Sequence, residues 1–323
     1  MIMQEIIDTF LGVLDKNEGK YFRDFLSLLP ENSSWYLISD YCIDNPDKYN
    51  DVLTFSLLCN YDKYETIQEL INRLASKDLK KTRDIDPGFL QYINSPFFYH
   101  FSLVIHRREN LLDKLFNKVP LDKMMEWMNN IYENTKGVEI LHRDFYNKAQ
   151  TRIKLVQREI QRQGYNRKLI RQILLTSSLG ASIMYLLQKY TSPQKIAWIS
   201  DRDAIIDKFD GFVFDNMYFW HEIAVSDKTF KKVNTEIIFV EPEKIGANYF
   251  DELIRIPDYI AGALASYDLE NKENLIEIKE KYKLMFMDVF SEPINQATIK
   301  AQSSDDISLS VYNFKWINNN KII

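Results

Sequence analysis

Cysteine is nearly absent from this chain: Cys42 and Cys59 are the two in 323 residues, and they do not form a CxxC pair. That excludes a disulfide framework and a thiolate zinc site, and leaves a reduced, buried thiol as the reading for each. Glycine and proline are also scarce, nine of each, which favours long helices over a turn-rich β sandwich. The charge-free run Gln172 to Gln188 is interrupted by Ser, Thr and Gln and falls short of the roughly 20 mainly apolar residues that span a bilayer. The opening "MIMQEIIDTF" carries Glu5 and Asp8 where a secretion signal would be apolar. A cytoplasmic protein without a membrane partner is the expectation. Several catalytic motifs are missing too. The chain has no Walker loop and no GxSxG elbow, and "HRDFYNKA" lacks the Asn of a kinase catalytic loop. His100, His106, His142 and His221 do not have the spacing of a zinc site.

What is present is a globular composition, 46% hydrophobic and 27% charged, in a chain long enough to bury a substantial core as one large domain or two. The net charge of -5 does not by itself mark a nucleic-acid binder. Its distribution does. Between Arg143 and Arg171 stand nine basic residues against two acidic ones, so the rest of the chain is more acidic than the total shows.

Apolar spacing divides the chain into elements. Ile6, Ile7, Phe10, Leu11 and Leu14 form the stripe of an amphipathic helix, and "YFRDFLSLL" predicts a second, stopped by Pro30. "SSWYLISDYC" and "DVLTFSLLC", joined by a polar turn, predict a β-hairpin. "DKYETIQELINRLA" is a helix with Ile67, Leu70, Ile71 and Leu74 on one face, and "PFFYHFSLVIH" a third strand. Residues 109–190 read as almost wholly helical, including "ENLLDKLFNKV". A strand at 195–201, a short helix "DNMYFWHEIA", a strand "TEIIFVEP", and helices "IPDYIAGALASYD" and "NLIEIKEKYKLMFMDVF" follow. The tail from Ser303 has no assignment. The order predicts an α/β fold with a mixed central sheet of about five strands flanked by helices. The boundaries are an N-terminal helical segment (1–30), a first half-core (31–108), a helical insertion with a basic helix (109–192), a second half-core (193–270) and a C-terminal helix and tail (271–323).

Acids stand at the ends of these elements. Asp40 sits near the end of the first strand, Asp201 ends the fourth with Asp203 close behind it, and Asp258 begins the helix after the fifth. If the fourth strand continues, Asp201 and Asp203 share a face, where two like charges are unfavourable without a cation. Hard cations such as Mg²⁺ take a few carboxylates plus waters and substrate phosphate, and two such ions can drive phosphodiester hydrolysis. Each acid also has a plainer reading. Asp258, after Pro257, suits a helix N-cap; Asp40 suits a polar turn; Glu65 and Glu69 suit an exposed helix face. Asp258, Ala261, Gly262 and Ala265 fall on one helical face, and their small size would let that helix approach the sheet closely. His106 at the end of the third strand is a candidate proton shuttle or a core histidine.

Element order and the acids on the first strand, the fourth strand and the last helix resemble the RNase H-like superfamily. More narrowly, the strand ending "LISD" and the Asp-led helix of small residues in "RIPDYIAGALA" resemble the DUF3800 family of bacterial and phage proteins. The resemblance spans Trp35 to Asp268. It implies an RNase H-like core with a large helical insertion, Asp40, Asp201 and Asp258 as catalytic metal ligands with Asp203 beside them, and Mg²⁺ or Mn²⁺ as cofactor. One departure stands out: where the family has a small acidic-serine-glycine turn after the first Asp, this chain has "DYCIDNPD", so either Asp44 substitutes or that corner of the site is altered.

The basic segment spaces Lys148 with Arg152, and Lys154 with Arg158 and Arg162, at four-residue intervals. Such a row can track phosphates or be a solvated face, and Tyr146 and Tyr165 are candidates to stack on bases or to be structural. The first functional expectation is a metal-dependent nuclease whose partner is DNA or RNA, with a homo-oligomer left open. The alternative is a catalytically inactive RNase H-like module for binding or oligomerisation, of the kind associated with phage-defence or mobile-element systems. A wholly helical adaptor is a third.

Overall fold

The branched and aromatic residues of "WYLISDYC" and "DVLTFSLLC" form the expected hairpin. In a computed structural model of the chain, β1 (Trp35–Cys42) and β2 (Asn50–Cys59) pair antiparallel, and β3 (Phe98–His106) pairs antiparallel on the far side of β2. β4 (Lys195–Ser200) runs parallel to β1, and β5 (Glu236–Val240) parallel to β4. Two strands not anticipated from the sequence, β6 (Gln296–Ser303) and β7 (Ile307–Val311), extend the other edge, β6 parallel to β3 and β7 antiparallel to β6. The sheet order is β5-β4-β1-β2-β3-β6-β7. The α/β class with a mixed, helix-flanked sheet therefore holds, the central sheet has seven strands among the described residues and not about five, and the wholly helical adaptor is excluded.

The structure describes residues 2–15, 19–107, 113–114, 116, 120–135, 143–225, 235–243, 246, 248–269, 278–291, 295–303, 307–314, 316–317 and 321–322. The expected helix "ENLLDKLFNKV" falls mostly outside them, as do His142 and the first residues of "NLIEIKEKYKLMFMDVF".

Contacts divide the chain into two compact units. One comprises Thr9–Glu109, Leu186–Asp201 and Lys231–Ile323, and holds the seven-stranded sheet. The other comprises Met1–Asp8, Asn110–Tyr185 and Arg202–Phe230, so residues 202–230 cluster with the helical insertion. In the sheet unit, side chains alternate between faces along each strand. Ile38 of β1, Val52 and Leu58 of β2, Phe98 and Val104 of β3 and Ile199 of β4 share one core with the helices Tyr64–Leu74, Pro87–Ile93, Asp251–Ala265 and Glu280–Met285. On the other face, Phe22 and Phe25 of the helix Gly19–Ser27 pack edge-on or tilted against Tyr99, Phe101 and Trp35.

The helical unit has its own core. Trp127 stacks on Trp220 at 5.7 Å, and Trp220 Nε1 donates to Asn216 Oδ1 at 3.0 Å. The helix Phe212–Val225 is longer than "DNMYFWHEIA" predicts because it is apolar on nearly all sides and buried, which erases the periodic signal. The helix Arg167–Tyr190 is long and apolar enough by composition to cross a membrane, but 94% of its apolar window is buried inside the protein. Ser177, Ser178 and Ser182 satisfy their hydroxyls on carbonyls one turn back, as buried polar groups on a core helix must.

Candidate metal and phosphate cleft

β1 and β4 are neighbours and run parallel, with Ser39 aligned to Ser200. The next residue on each is therefore an aspartate at the carboxyl end of an adjacent strand: Asp40 and Asp201. Alternation puts Asp40 on the face of Tyr36, Ile38 and Cys42, which the helix Asp251–Ala265 covers. The opposite face fixes the two strand ends together. There Ser39 Oγ donates to Ser200 Oγ at 2.9 Å, Trp198 Nε1 donates to Ser39 Oγ at 2.9 Å, and the Tyr41 hydroxyl lies 2.7 Å from Ser39 Oγ. Ser39 and Ser200 are buried, so this satisfied polar cluster holds the strand register directly beneath the two aspartates. Nothing in the local sequence announces it, because the partners lie about 160 residues apart.

Asp258 arrives from the covering helix, and here the sequence reading needs correction. The helix begins at Asp251, with Pro257 inside it, so Asp258 is not an N-cap. The buried Leu253, Ile254 and Ile256 recruit the two turns before the proline, which offsets the lost hydrogen bond of Pro257. Asp258 Oδ2 instead accepts the backbone N–H of Leu79 at 2.7 Å. Leu79 belongs to a short 3₁₀ turn, Leu79–Lys81. Its side chain occupies the space over Gly262, where an added Cβ would come within 2.6 Å of Leu79 Cδ2. The close approach that the small residues allow is thus partly to this turn, and not only to the sheet.

These pieces enclose a cleft of about 620 Å³ lined by Asp40, Asp201 and Asp258. Five carboxylates and five cationic side chains line it in all, and most of the additional charges are already engaged. Asp251 accepts from Asn248, and Asp78 pairs with Lys81 at 2.7 Å. Arg255 donates to Ala75 O and Asn72 Oδ1. Lys48 donates to Gly262 O, to Ser266 Oγ and, at 3.1 Å, to the Tyr282 hydroxyl. Asp78, Lys77 and Lys80 on this lining were not singled out in the sequence; an irregular stretch between two helices offers no periodicity to place them.

The charges act on one another. Burial raises the Asp258 carboxyl above its ordinary value; the Leu79 N–H opposes this, and Asp78 and Asp201 push it further up. Cys42 is lifted to about 11, chiefly by burial, with Asp40 and Asp258 adding to it against Lys48. Its thiol is held protonated, and it is half-buried where the sequence led to a buried thiol. Burial would raise Tyr282, but the Lys48 ammonium bonded to it wins and its value is lowered. Among the described residues, no three His, Cys, Asp or Glu side chains stand as a ready-made metal cage.

The remaining candidates are placed elsewhere. β4 ends at Ser200, and Asp203 caps the helix Ala204–Asp207, accepting the N–H groups of Ile205 and Ile206 at 2.8 and 3.0 Å. Asp201 and Asp203 therefore do not share a strand face, and that argument for a metal pair fails. Asp44 is an exposed turn residue with φ 60°, its N–H bonded to Asp51 Oδ1, and it is not part of the cleft lining. Glu65 and Glu69 are exposed, as the helix face predicted, and His106 is buried in β3.

In the helical unit, Lys148, Lys154 and Arg158 are exposed on the helix Arg143–Ile160. Arg152 is not available to a phosphate in the same way: it binds Asp215 at 3.0 Å and Asp210 at 3.4 Å, and Asp215 is buried. Arg162 lies beyond the helix end and pairs with Glu159 at 3.0 Å. The phosphate-tracking row thus shrinks to three residues. Tyr146 is a core residue, and Tyr165 contacts Arg167 through its hydroxyl and ring.

No protein-family model, curated protein or solved structure matches the chain.

Proposed function

We propose that the cleft is the site of a metal-dependent nuclease with an RNase H-like core, Asp40, Asp201 and Asp258 being its catalytic carboxylates. One observation carries this reading: three aspartates from positions 40, 201 and 258 line a single cleft, two of them on adjacent parallel strand ends. Convergence of Asp40 and Asp201 needs the first and fourth strands to be neighbours, as they are, and the expected five strands keep the continuous order β5-β4-β1-β2-β3 within the larger sheet.

The donor set fits Mg²⁺ or Mn²⁺, which bind through one or two carboxylates plus water and substrate phosphate and do not need a closed protein cage. The raised Asp258 carboxyl fits as well, since a cation would favour its ionised form. Such an ion would supply Lewis-acid polarisation of a phosphodiester and would make an attacking water more acidic. The chain's own part is to hold the carboxylates: the Ser39–Ser200–Trp198 cluster fixes Asp40 and Asp201, and the Leu79 N–H orients Asp258. Asp203, used as a cap, is left with at most an indirect role. Lys148, Lys154 and Arg158 remain candidates to hold the nucleic acid, DNA or RNA. Cytoplasmic placement without a membrane partner belongs to the same reading; the burial of the Arg167–Tyr190 helix inside the protein supports only the second part.

The test is hydrolysis of labelled single- and double-stranded DNA and RNA with Mg²⁺ or Mn²⁺. Asp201→Asn is expected to lose about 100-fold or more of a metal-dependent activity; cleavage that survives the change in protein freed of contaminating nucleases overturns the assignment. The inactive-module alternative draws on the altered corner, where the Asp44 backbone N–H donates to Asp51 Oδ1 and Asp44 is not among the residues lining the cleft. It predicts nucleic-acid binding with no cleavage by the wild-type chain.

A further inference from the structure

The segment from Ala75 to Thr82 is irregular except for its 3₁₀ turn, yet its backbone is held from several sides. Arg255 Nη1 donates to Ala75 O at 2.9 Å, and the Tyr259 hydroxyl donates to Lys77 O at 2.9 Å. Lys281 Nζ, on a buried side chain, donates to Leu79 O at 2.6 Å and to Thr82 O at 2.7 Å. The Leu79 N–H goes to Asp258, and the Leu79 side chain sits over Gly262. A short loop tied down by a buried ammonium, a guanidinium, a phenol and a carboxylate is a rigid platform. What it presents to the cleft is Lys77, Lys80 and Lys81.

Lys81 is paired with Asp78. Lys77 and Lys80 are exposed, and neither ammonium has a hydrogen bond or ion pair among the described residues. The Lys80 charge reaches both Asp78 and Asp258. Two unspent cations on a fixed backbone, beside the carboxylates suited to a metal, provide what a phosphodiester needs: a positive rim for non-bridging oxygens next to the site of hydrolysis.

We propose that Lys77 and Lys80 form the phosphate-binding rim of the cleft and grip the backbone of a nucleic-acid strand independently of any metal. The identity of the ligand as a strand rests on the nuclease reading; the anion site itself stands on the loop.

The experiment measures binding of a fluorescein-labelled single-stranded oligonucleotide to the full chain by anisotropy, in EDTA, over a range of salt. Lys77→Glu/Lys80→Glu is compared with Lys20→Glu/Lys63→Glu, which changes net charge equally at exposed lysines outside the cleft lining. A parallel Lys77→Gln/Lys80→Gln variant and near-ultraviolet circular dichroism check that folding is kept. The rim variants are expected to bind at least about ten-fold more weakly, and the slope of log K against log salt to fall by about 1 to 2. The control stays within about two-fold of wild type. Unchanged binding in the rim variants, an equal loss in the control, or no binding by the wild-type chain overturns the proposal. Displacement of the strand by an equal concentration of inorganic phosphate overturns the assignment to a strand; displacement by unlabelled oligonucleotide alone supports it. Asp201→Asn separates the two claims. Lost cleavage in Asp201→Asn with an unaffected rim variant fails the rim alone, whereas weakened rim binding with cleavage retained in Asp201→Asn fails the nuclease reading alone.

Discussion

At the scale of single residues, burial and two neighbouring carboxylates make the ionised form of Asp258 costly. Its folded value lies above the ordinary 3.8, so the folded state holds the proton more tightly than the unfolded chain does. The stability from this group is therefore fully present below about pH 3.8 and is lost as pH rises through the folded value. Asp258→Asn removes the charge and keeps an oxygen that can accept the Leu79 N–H. In EDTA at pH 7 its Tm is expected to equal or exceed that of wild type, with the difference shrinking below pH 4. Millimolar Mn²⁺ should raise the Tm of wild type and not of the variant. Thermal scans over pH check this, and a Tm several degrees lower for the variant at pH 7 would make Asp258 a purely structural acceptor. Asp40 and Asp201 were legible because each closes an apolar run, although β1 itself continues to Cys42. Asp258 was found for a partly wrong reason. Pro257 imitates a helix start, because proline favours the first turn, and only the packing of Leu253, Ile254 and Ile256 shows that the helix began earlier.

At the scale of elements, the helix Asp251–Ala265 and the turn Leu79–Lys81 are matched to each other. Gly262 costs the helix about 1 kcal/mol relative to alanine, but a methyl group there would press on the buried Leu79 at 2.6 Å, and overpacking of this kind costs about 1–3 kcal/mol. Gly262→Ala alone is therefore expected to destabilise. In a Leu79→Ala background the same change should stabilise by up to about 1 kcal/mol, since the clash is gone and the propensity gain remains. Denaturant unfolding of the four proteins measures the cycle; additive effects would show that the two elements are not coupled through this contact. The small-residue face was visible at helical spacing, but its partner was not. "ASKDLKK" carries no repeat that would dock it anywhere, and its position depends on side chains about 180 to 200 residues away. β6 and β7 were missed for a related reason. "QATIKAQS" alternates only weakly and becomes a strand through pairing with β3, nearly 200 residues earlier. The basic row failed in part because spacing cannot distinguish a cation facing water from Arg152, which spends its charge on the buried Asp215.

For the whole molecule, the α/β class, the hairpin and the strands through β5 followed from apolar patterning, while the full width of the sheet depended on pairings distant in sequence. The net charge of -5 concealed more than it revealed. In the sheet unit, one cleft carries equal numbers of acidic and basic side chains, an arrangement that suits a polyanion together with its counter-cation better than either alone. That joint role is the central claim, and it depends on Asp40, Asp201 and Asp258 acting on one ion. The most direct measurement is the anomalous scattering of manganese in crystals of the full chain soaked in Mn²⁺. A peak within about 2.5 Å of carboxylate oxygens of Asp40, Asp201 and Asp258 is the predicted result. A cleft without manganese, or manganese touching no more than one of the three, would contradict it.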